Sequence, residues 1–561
     1  MTGFHADLGP YRERVEKRLE FLDQEGFSKR LQAKDPSLWK SDPDLQEKIR
    51  NRLGWLTVCD TMLDKTGELT DFARSIKVAG FTHVVLLGMG GSSLCPEVCR
   101  EIYGVASGYP DLIVLDSTDP ATILGVERRL DLQKALLIVA SKSGTTLEVQ
   151  TLYRYFFEKI KAIEPARAGQ HFVAITDPGT SLERLAREQN FRKIFLNPPD
   201  IGGRYSALSY FGLVPAALIG MDLEAFGERV RRMVHEWVSG MYLGVILGEL
   251  AKAGRDKVTL VISPSLQSFG VWLEQLLAES TGKEGKGLVP VVGEAIGDPS
   301  VYGHDRLFIY LKLGTSSDPE LDSAVEALKK TGHPVVRIFL QDSMDLAGEF
   351  FRWELATAVA GAVLGINPFD EPNVTESKEN TQRILQELHR SGRLNIQTPI
   401  LEAEGIRLYG DFQREGFASL QDALRAFFHQ SKPGDYVALL AYLQPSENHE
   451  TLLQRMRHVI RDRFHLATTV GYGPRFLHST GQLHKGGAPI GLFLQITAED
   501  PEDMPIPQEN YTFGMLKMAQ ALGDFYSLAG RGLRVLHIHF GRDTERDLGK
   551  LLQYIEAVAK W

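Results

Sequence analysis

The sequence predicts an α/β protein: two doubly wound parallel-sheet domains with an additional C-terminal α/β portion. Two observations carry this expectation. Short apolar runs recur that are continuous rather than alternating, as strands covered on both faces require. Amphipathic helical patterns separate them, and strand, helix, strand in that rhythm builds a parallel sheet wound in both directions.

Residues 1–50 are charged and helical in pattern and read as an N-terminal helical arm. The first domain is placed at 51–215, with strands at His83–Met89, Asp111–Asp116, Ala135–Ser141, His171–Thr176 and Lys193–Asn197. Within it, Val149, Leu152, Tyr153, Phe156 and Ile160 stand at helical spacing. The second domain is placed at 216–378, with strands at Lys257–Ser263, Arg306–Leu313 and Pro334–Leu340. The C-terminal portion, 379–561, has strands at Tyr436–Leu443, Pro489–Ile496 and Arg534–Phe540, and either completes or duplicates the second domain. Stretches 334–366 and 489–525 are alike, each a strand, a polar loop and a long helix carrying small residues. They fit a partial internal duplication or two ordinary α/β units. The segment 366–400 reads as a hinge.

The 561 residues are 43% hydrophobic and 24% charged, a globular composition that excludes wholesale disorder, collagen and coiled coil. A net charge of −9 argues against nonspecific nucleic-acid binding, which needs a dominant basic surface. It leaves room for a small anionic ligand held by local donors. The cysteines are Cys59, Cys95 and Cys99, a sparse odd set expected as buried thiols in a reducing compartment. A structural zinc site usually needs four ligands, and no metal site is expected. The N-terminus lacks the pattern of a signal peptide, and no apolar run approaches the ~20 residues of a membrane span. A soluble cytoplasmic protein is expected, without membrane or nucleic-acid partners.

Four motifs carry chemistry. Gly88-Met89-Gly90-Gly91-Ser92-Ser93 follows the first strand directly. Its glycines let backbone approach a ligand, or simply make a tight turn; they do not form the dinucleotide fingerprint. Ser141-Lys142-Ser143-Gly144-Thr145-Thr146 opens the helix that follows the third strand. Four hydroxyls at a helix N-terminus exceed the one needed for capping and suit a phosphate dianion. Gly202-Gly203-Arg204-Tyr205-Ser206 either aims an arginine fork into a cleft or places a surface arginine beside a loop. In Trp272–Lys283, Gln275 and Glu279 share a helix face. Glu279 against apolar surroundings would have a raised pKa and suit a general base; the alternative is an exposed helix-end glutamate.

Together these motifs resemble the phosphoglucose isomerase family. GMGGSSL is similar to the family's GxGGSxLGP, SKSGTT to its phosphate loop and GGRYS to GGR[FY]S. WLEQLLAESTGK resembles WLxQLxGESxGK, with Ala278 in place of glycine. Asn367–Val374 with Lys378 resembles NPFDQPGVExxK, departing at Glu371, Asn373 and Thr375. The family's LHSxGQ words appear at Leu477–Gln482, after the lysine rather than before it. His304 and His333 lie between Glu279 and Lys378, where the family's histidine normally stands, but not in that context, so the matching words select His478 over His304 as the catalytic histidine despite the changed order. The long C-terminal part resembles the isomerase part of bacterial transaldolase–isomerase fusions.

The resemblance implies two sugar-isomerase domains and interconversion of glucose 6-phosphate and fructose 6-phosphate, with no cofactor. It implies Glu279 as the base, Arg204 for the enediolate, and His478 and Lys378 for ring opening. It assigns substrate binding to Gly91, Ser92, Ser141, Lys142, Ser143, Thr145, Thr146 and Gln275. The alternatives are a noncatalytic sugar-phosphate-binding regulator or an isomerase for another sugar phosphate, such as mannose 6-phosphate. A monomer or a homodimer fits. In ordinary family dimers the histidine reaches in from the neighbouring subunit, so a single chain delivering His478 would be active as a monomer.

Overall fold

The computed structural model describes residues 3–314, 316–410 and 417–560, which form three sheets. The first contains the five expected runs. Its spatial order is Asp111–Leu115, His83–Gly88, Ala135–Ala140, Phe172–Thr176 and Lys193–Leu196, all parallel. The chain starts at His83–Gly88, winds outward once, then returns to continue on the other side. The winding therefore reverses between His83–Gly88 and Ala135–Ala140, where an α/β sheet opens a crevice beyond its strand ends. The glycine-rich loop and the hydroxyl-rich loop leave from these two strands.

The second sheet runs Phe4–Asp7, Val335–Leu340, Arg306–Leu313, Lys257–Ile262 and Val289–Val291. Phe4–Asp7 is antiparallel and the other strands are parallel. The N-terminal residues are thus not wholly a helical arm: a strand precedes the helices Arg12–Gln24, Phe27–Gln32 and Pro43–Arg50. Four residues are too few to show a period, and this strand exists because Val335–Leu340 offers a free edge.

The third sheet runs Leu401–Ala403, Ile406–Tyr409, Arg534–Phe540, Gly491–Ala498, Tyr436–Tyr442 and Ala467–Tyr472. The C-terminal portion therefore has a sheet of its own. The four parallel strands of the second and third sheets follow one order: fourth, third, first, second. Each sheet adds an antiparallel strand beside its fourth. This shared topology corrects the phase of the suspected repeat. Val335–Leu340 is a fourth strand, whereas Gly491–Ala498 is a third. The topological counterparts are Arg306–Leu313 with Gly491–Ala498, and Val335–Leu340 with Arg534–Phe540.

The segment 366–400 is no open hinge. Most of it is the helix Val374–Ser391, whose Ile384, Leu385 and Leu388 enter a core shared with the first sheet and the helix Phe513–Gly530. The boundary expected at 378/379 falls inside that helix. The three cysteines are buried and free. Among the described residues, no helix is long and apolar enough to cross a membrane.

Candidate active site

Four segments converge beyond the crevice of the first sheet, and two glycines explain how closely. Gly90 has φ +54°, and a Cβ there would lie 2.7 Å from Gln275 Nε2 and 3.0 Å from the His478 carbonyl oxygen. A Cβ on Gly91 would lie 1.9 Å from the carbonyl oxygen of Gly203. The glycine-rich loop therefore touches the Arg204 turn, the Glu279 helix and the His478 turn by backbone. Ser92 is buried within this loop. Asp116 ties the loop to the His478 turn: Ser93 Oγ donates to its Oδ2 at 3.1 Å and Arg475 Nε at 2.6 Å.

Arg204 sits in the turn Gly203–Tyr205 and is buried, with its guanidinium fixed on every side. Nε donates to Ser280 Oγ at 2.8 Å. Nη2 donates to the carbonyls of Pro368 and Asp370 at 2.9 and 2.8 Å. Nη1 donates to Glu279 Oε1 at 3.1 Å and Glu371 Oε2 at 3.0 Å. Glu279 lies near the end of the apolar helix Phe269–Thr281. Its other oxygen accepts from Gln275 Nε2 at 2.9 Å, and the same nitrogen donates to the His478 carbonyl at 2.8 Å. Burial pushes the Glu279 carboxyl upward, Arg204 pulls it down, and Glu371 pushes it up again; the net direction is upward. A largely enclosed carboxylate shifted upward in this way is a stronger base than an ordinary one, as a group that accepts and returns a proton requires.

Behind Arg204, Lys283 donates to Asp370 Oδ1 at 2.9 Å and also to the Asp370 carbonyl. Burial first, and then Arg204, bring the Lys283 ammonium down to about 8 against the pull of Asp370.

His478 belongs to the short turn Arg475–His478 that follows Ala467–Tyr472. Its Nε2 lies 3.0 Å from Glu148 Oε1. Glu148 is buried in the first turn of Leu147–Ile163. The same oxygen accepts from Gln520 Nε2 at 2.7 Å, and Thr118 Oγ1 donates to Gln520 Oε1 at 2.7 Å. Burial works to raise the Glu148 carboxyl, but His478 and Lys378 hold it below its ordinary value. A carboxylate on Nε2 fixes the ring and leaves Nδ1 for a ligand.

A cavity of about 260 Å³ opens here, lined by Ser143, Thr145, Thr146, Glu148, Lys378 and His478. Lys378 comes from the helix Val374–Ser391. The structure thus brings Glu279, Arg204, Gln275 and the glycine-rich loop into one hydrogen-bonded cluster. It brings His478, Lys378 and three loop hydroxyls around the adjoining cavity.

Two predicted binders stand apart. Lys142 is turned to Asp177 and to the Pro199 carbonyl, 2.9 Å away, so its ammonium is engaged outside the cavity. Ser141 shapes the loop: its Oγ lies 2.9 Å from Thr146 Oγ1 and accepts from the Gly144 N–H at 3.1 Å. His304 is exposed on the approach to Arg306–Leu313 and is not among the residues that line the cavity around His478. Sequence reasoning missed Glu148, Gln520 and a role for Glu371. The available signal for Glu148 was an acidic residue in the first turn of an apolar helix.

A phosphoglucose isomerase family profile matches residues 58–287. A glucose-6-phosphate isomerase of Rubrobacter xylanophilus is 28% identical over 420 residues, 65% of this chain and 94% of that protein. A hypothetical protein of Thermus thermophilus shares the fold with a TM-score of 0.57 at 24% identity, covering 68% of this chain and 99% of its own. A glucose-6-phosphate isomerase from Chlamydia trachomatis matches with a TM-score of 0.50 at 22% identity, over 58% of this chain and 73% of its own.

Proposed function

We propose that this chain, which is similar to the phosphoglucose isomerase family over residues 58–287 and to curated glucose-6-phosphate isomerases, interconverts glucose 6-phosphate and fructose 6-phosphate through a cis-enediolate. One observation carries this reading above the others: a partly buried glutamate with a raised proton affinity is bonded to a buried, rigidly held arginine. Isomerisation needs one group to carry a proton between C2 and C1 and another to stabilise the negative charge that develops on the oxygens. Glu279 takes the first role and Arg204 the second. Arg204 is held in place before the reaction, so its charge acts without reorganisation.

The phosphate is assigned to Ser143, Thr145, Thr146 and the free N–H groups opening Leu147–Ile163, where the helix dipole favours an anion. Anchoring that end turns binding energy into alignment of C1 and C2 with Glu279. His478, oriented by Glu148, moves the proton between the ring oxygen and O1 during ring opening, assisted by Lys378. One chain supplies Glu148, Arg204, Glu279, Lys378 and His478, so the proposal includes a site complete within a single protomer.

The test is conversion of fructose 6-phosphate, coupled to glucose 6-phosphate detection, by wild type and Glu279→Gln. Wild-type turnover that disappears in the variant, with sugar-phosphate binding preserved, supports the reading. A wild type that binds sugar phosphate without turning it over favours a noncatalytic sensor. Turnover of mannose 6-phosphate alone identifies another isomerase.

A further inference from the structure

Arg204 Nη1 serves two carboxylates at nearly equal distance, Glu279 Oε1 at 3.1 Å and Glu371 Oε2 at 3.0 Å. The guanidinium is not free to follow one of them, because Nε and Nη2 are committed to Ser280 Oγ and two backbone carbonyls. The loop carrying Glu371 is also fixed. Lys283 and Asn367 both bind the neighbouring Asp370, and Asn373 N–H donates to Gln482 Oε1. The side chains differ in exposure, 13% for Glu279 and 44% for Glu371.

We propose that Glu371 is a positioning residue that sets the proton affinity of Glu279 by sharing the Arg204 cation with it. The inference rests on the reading of Glu279 as the base. An arginine wholly committed to Glu279 would hold it ionised and make it a weak base. Glu371 opposes this twice: it draws part of the cation's field, and it adds a second negative charge across the same nitrogen. Both effects favour the protonated form of Glu279, which must carry a proton between the two carbons and release it again.

The other charged or titratable groups around Glu279 are few. His478 faces it from the Arg475–His478 turn, with Glu148 behind, buried Tyr205 lies beside Arg204 within electrostatic reach of Glu279, and Lys283 with Asp370 lies beyond Arg204. Gln275, on its own helix, is neutral. Removing the Glu371 charge leaves all of these in place. The upward direction found for the Glu279 carboxyl includes a contribution from Glu371, in the sense required.

The experiment compares wild type, Glu371→Gln and Glu371→Asp. Infrared titration of the protonated carboxyl band, assigned to Glu279 by its loss in Glu279→Gln, is run alongside the pH profile of kcat/KM for fructose 6-phosphate. Glu371→Gln keeps the size and one acceptor oxygen while removing the charge. Because Glu371 is partly exposed, the fold should tolerate the change, which a melting temperature checks. We expect the Glu279 midpoint and the acid limb of the profile to fall together by about half to one pH unit, roughly a three- to tenfold loss of proton affinity. Glu371→Asp, which keeps the charge, should shift less. A midpoint that stays put or rises in Glu371→Gln, in a folded protein, overturns the proposal. If the midpoint falls as expected and yet no form isomerises fructose 6-phosphate, the tuning stands and the proposed function fails.

Discussion

Gly91→Ala perturbs the closest backbone contact in the site, and its effect follows from the geometry. The new Cβ would fall 1.9 Å from the Gly203 carbonyl oxygen, 2.3 Å from its carbon and 2.9 Å from the Arg204 nitrogen. Cβ atoms essentially never approach within 3.0 Å, so the two backbones must part by at least 1.1 Å. The receding partner is the turn that carries Arg204, so the guanidinium moves by a similar distance from where the enediolate forms. A displacement of about 1 Å in a positioned group costs roughly 100-fold in rate, or about 3 kcal/mol of transition-state stabilisation. The fold loses about 1–3 kcal/mol from the overlap. Steady-state kinetics with fructose 6-phosphate should show kcat down by about two orders of magnitude. KM should change little, because the hydroxyl loop leaves from another strand. Gly203→Ala is the internal control, since a Cβ there meets nothing within 4 Å; it should be nearly silent. A Gly91→Ala enzyme with unchanged kcat would refute the argument that this contact places Arg204.

Glu148→Gln should lower kcat by roughly 100-fold by releasing His478, an effect of the size expected for general acid–base catalysis. Its stability effect should depend on pH. The native Glu148 carboxyl lies below its ordinary value, so its contribution is complete above the unfolded carboxylate range and is lost as pH falls through the native value. Denaturant unfolding of both forms across acid pH checks the sign; a difference independent of pH would contradict it. Lys142→Ala should leave KM for fructose 6-phosphate nearly unchanged, whereas Ser143→Ala and Thr145→Val should each raise it by about tenfold or more, as for hydrogen bonds to a charged group. A large KM effect at Lys142 would mean that its ammonium leaves Asp177 for the phosphate. Mixing inactive Glu279→Gln with inactive His478→Ala should restore nothing; recovered activity would show that the site is shared between subunits.

The first sheet was legible because its strands are buried on both faces and read as unbroken apolar runs. Phe4–Asp7, Val289–Val291 and Ala467–Tyr472 were not. The first two are very short edge strands, one holding Pro290, and the third is rich in threonine and glycine, so pairing partners rather than side chains define them. The repeat was visible but misphased, since strand, loop and long helix describe any α/β unit. Motifs were legible where backbone geometry limits the residue, as at Gly90 and Gly91. Lys142 shows the limit of such reading: a lysine in the loop was evident, but Asp177 decides where it points. Glu148 was hidden because an acidic first turn is already explained by the helix dipole. Its partners His478 and Gln520 lie 330 and 372 residues away in the chain.

The most direct test of the account is proton exchange at the reacting carbons. Fructose 6-phosphate is incubated in deuterium oxide with wild type and with Glu279→Gln, and the sugar phosphates are examined by NMR. Wild type should place solvent deuterium on C1 of fructose 6-phosphate and C2 of glucose 6-phosphate, and Glu279→Gln should place almost none while still binding substrate. Deuterium entering at the same rate in both proteins would contradict the assignment of Glu279 as the group that moves the proton.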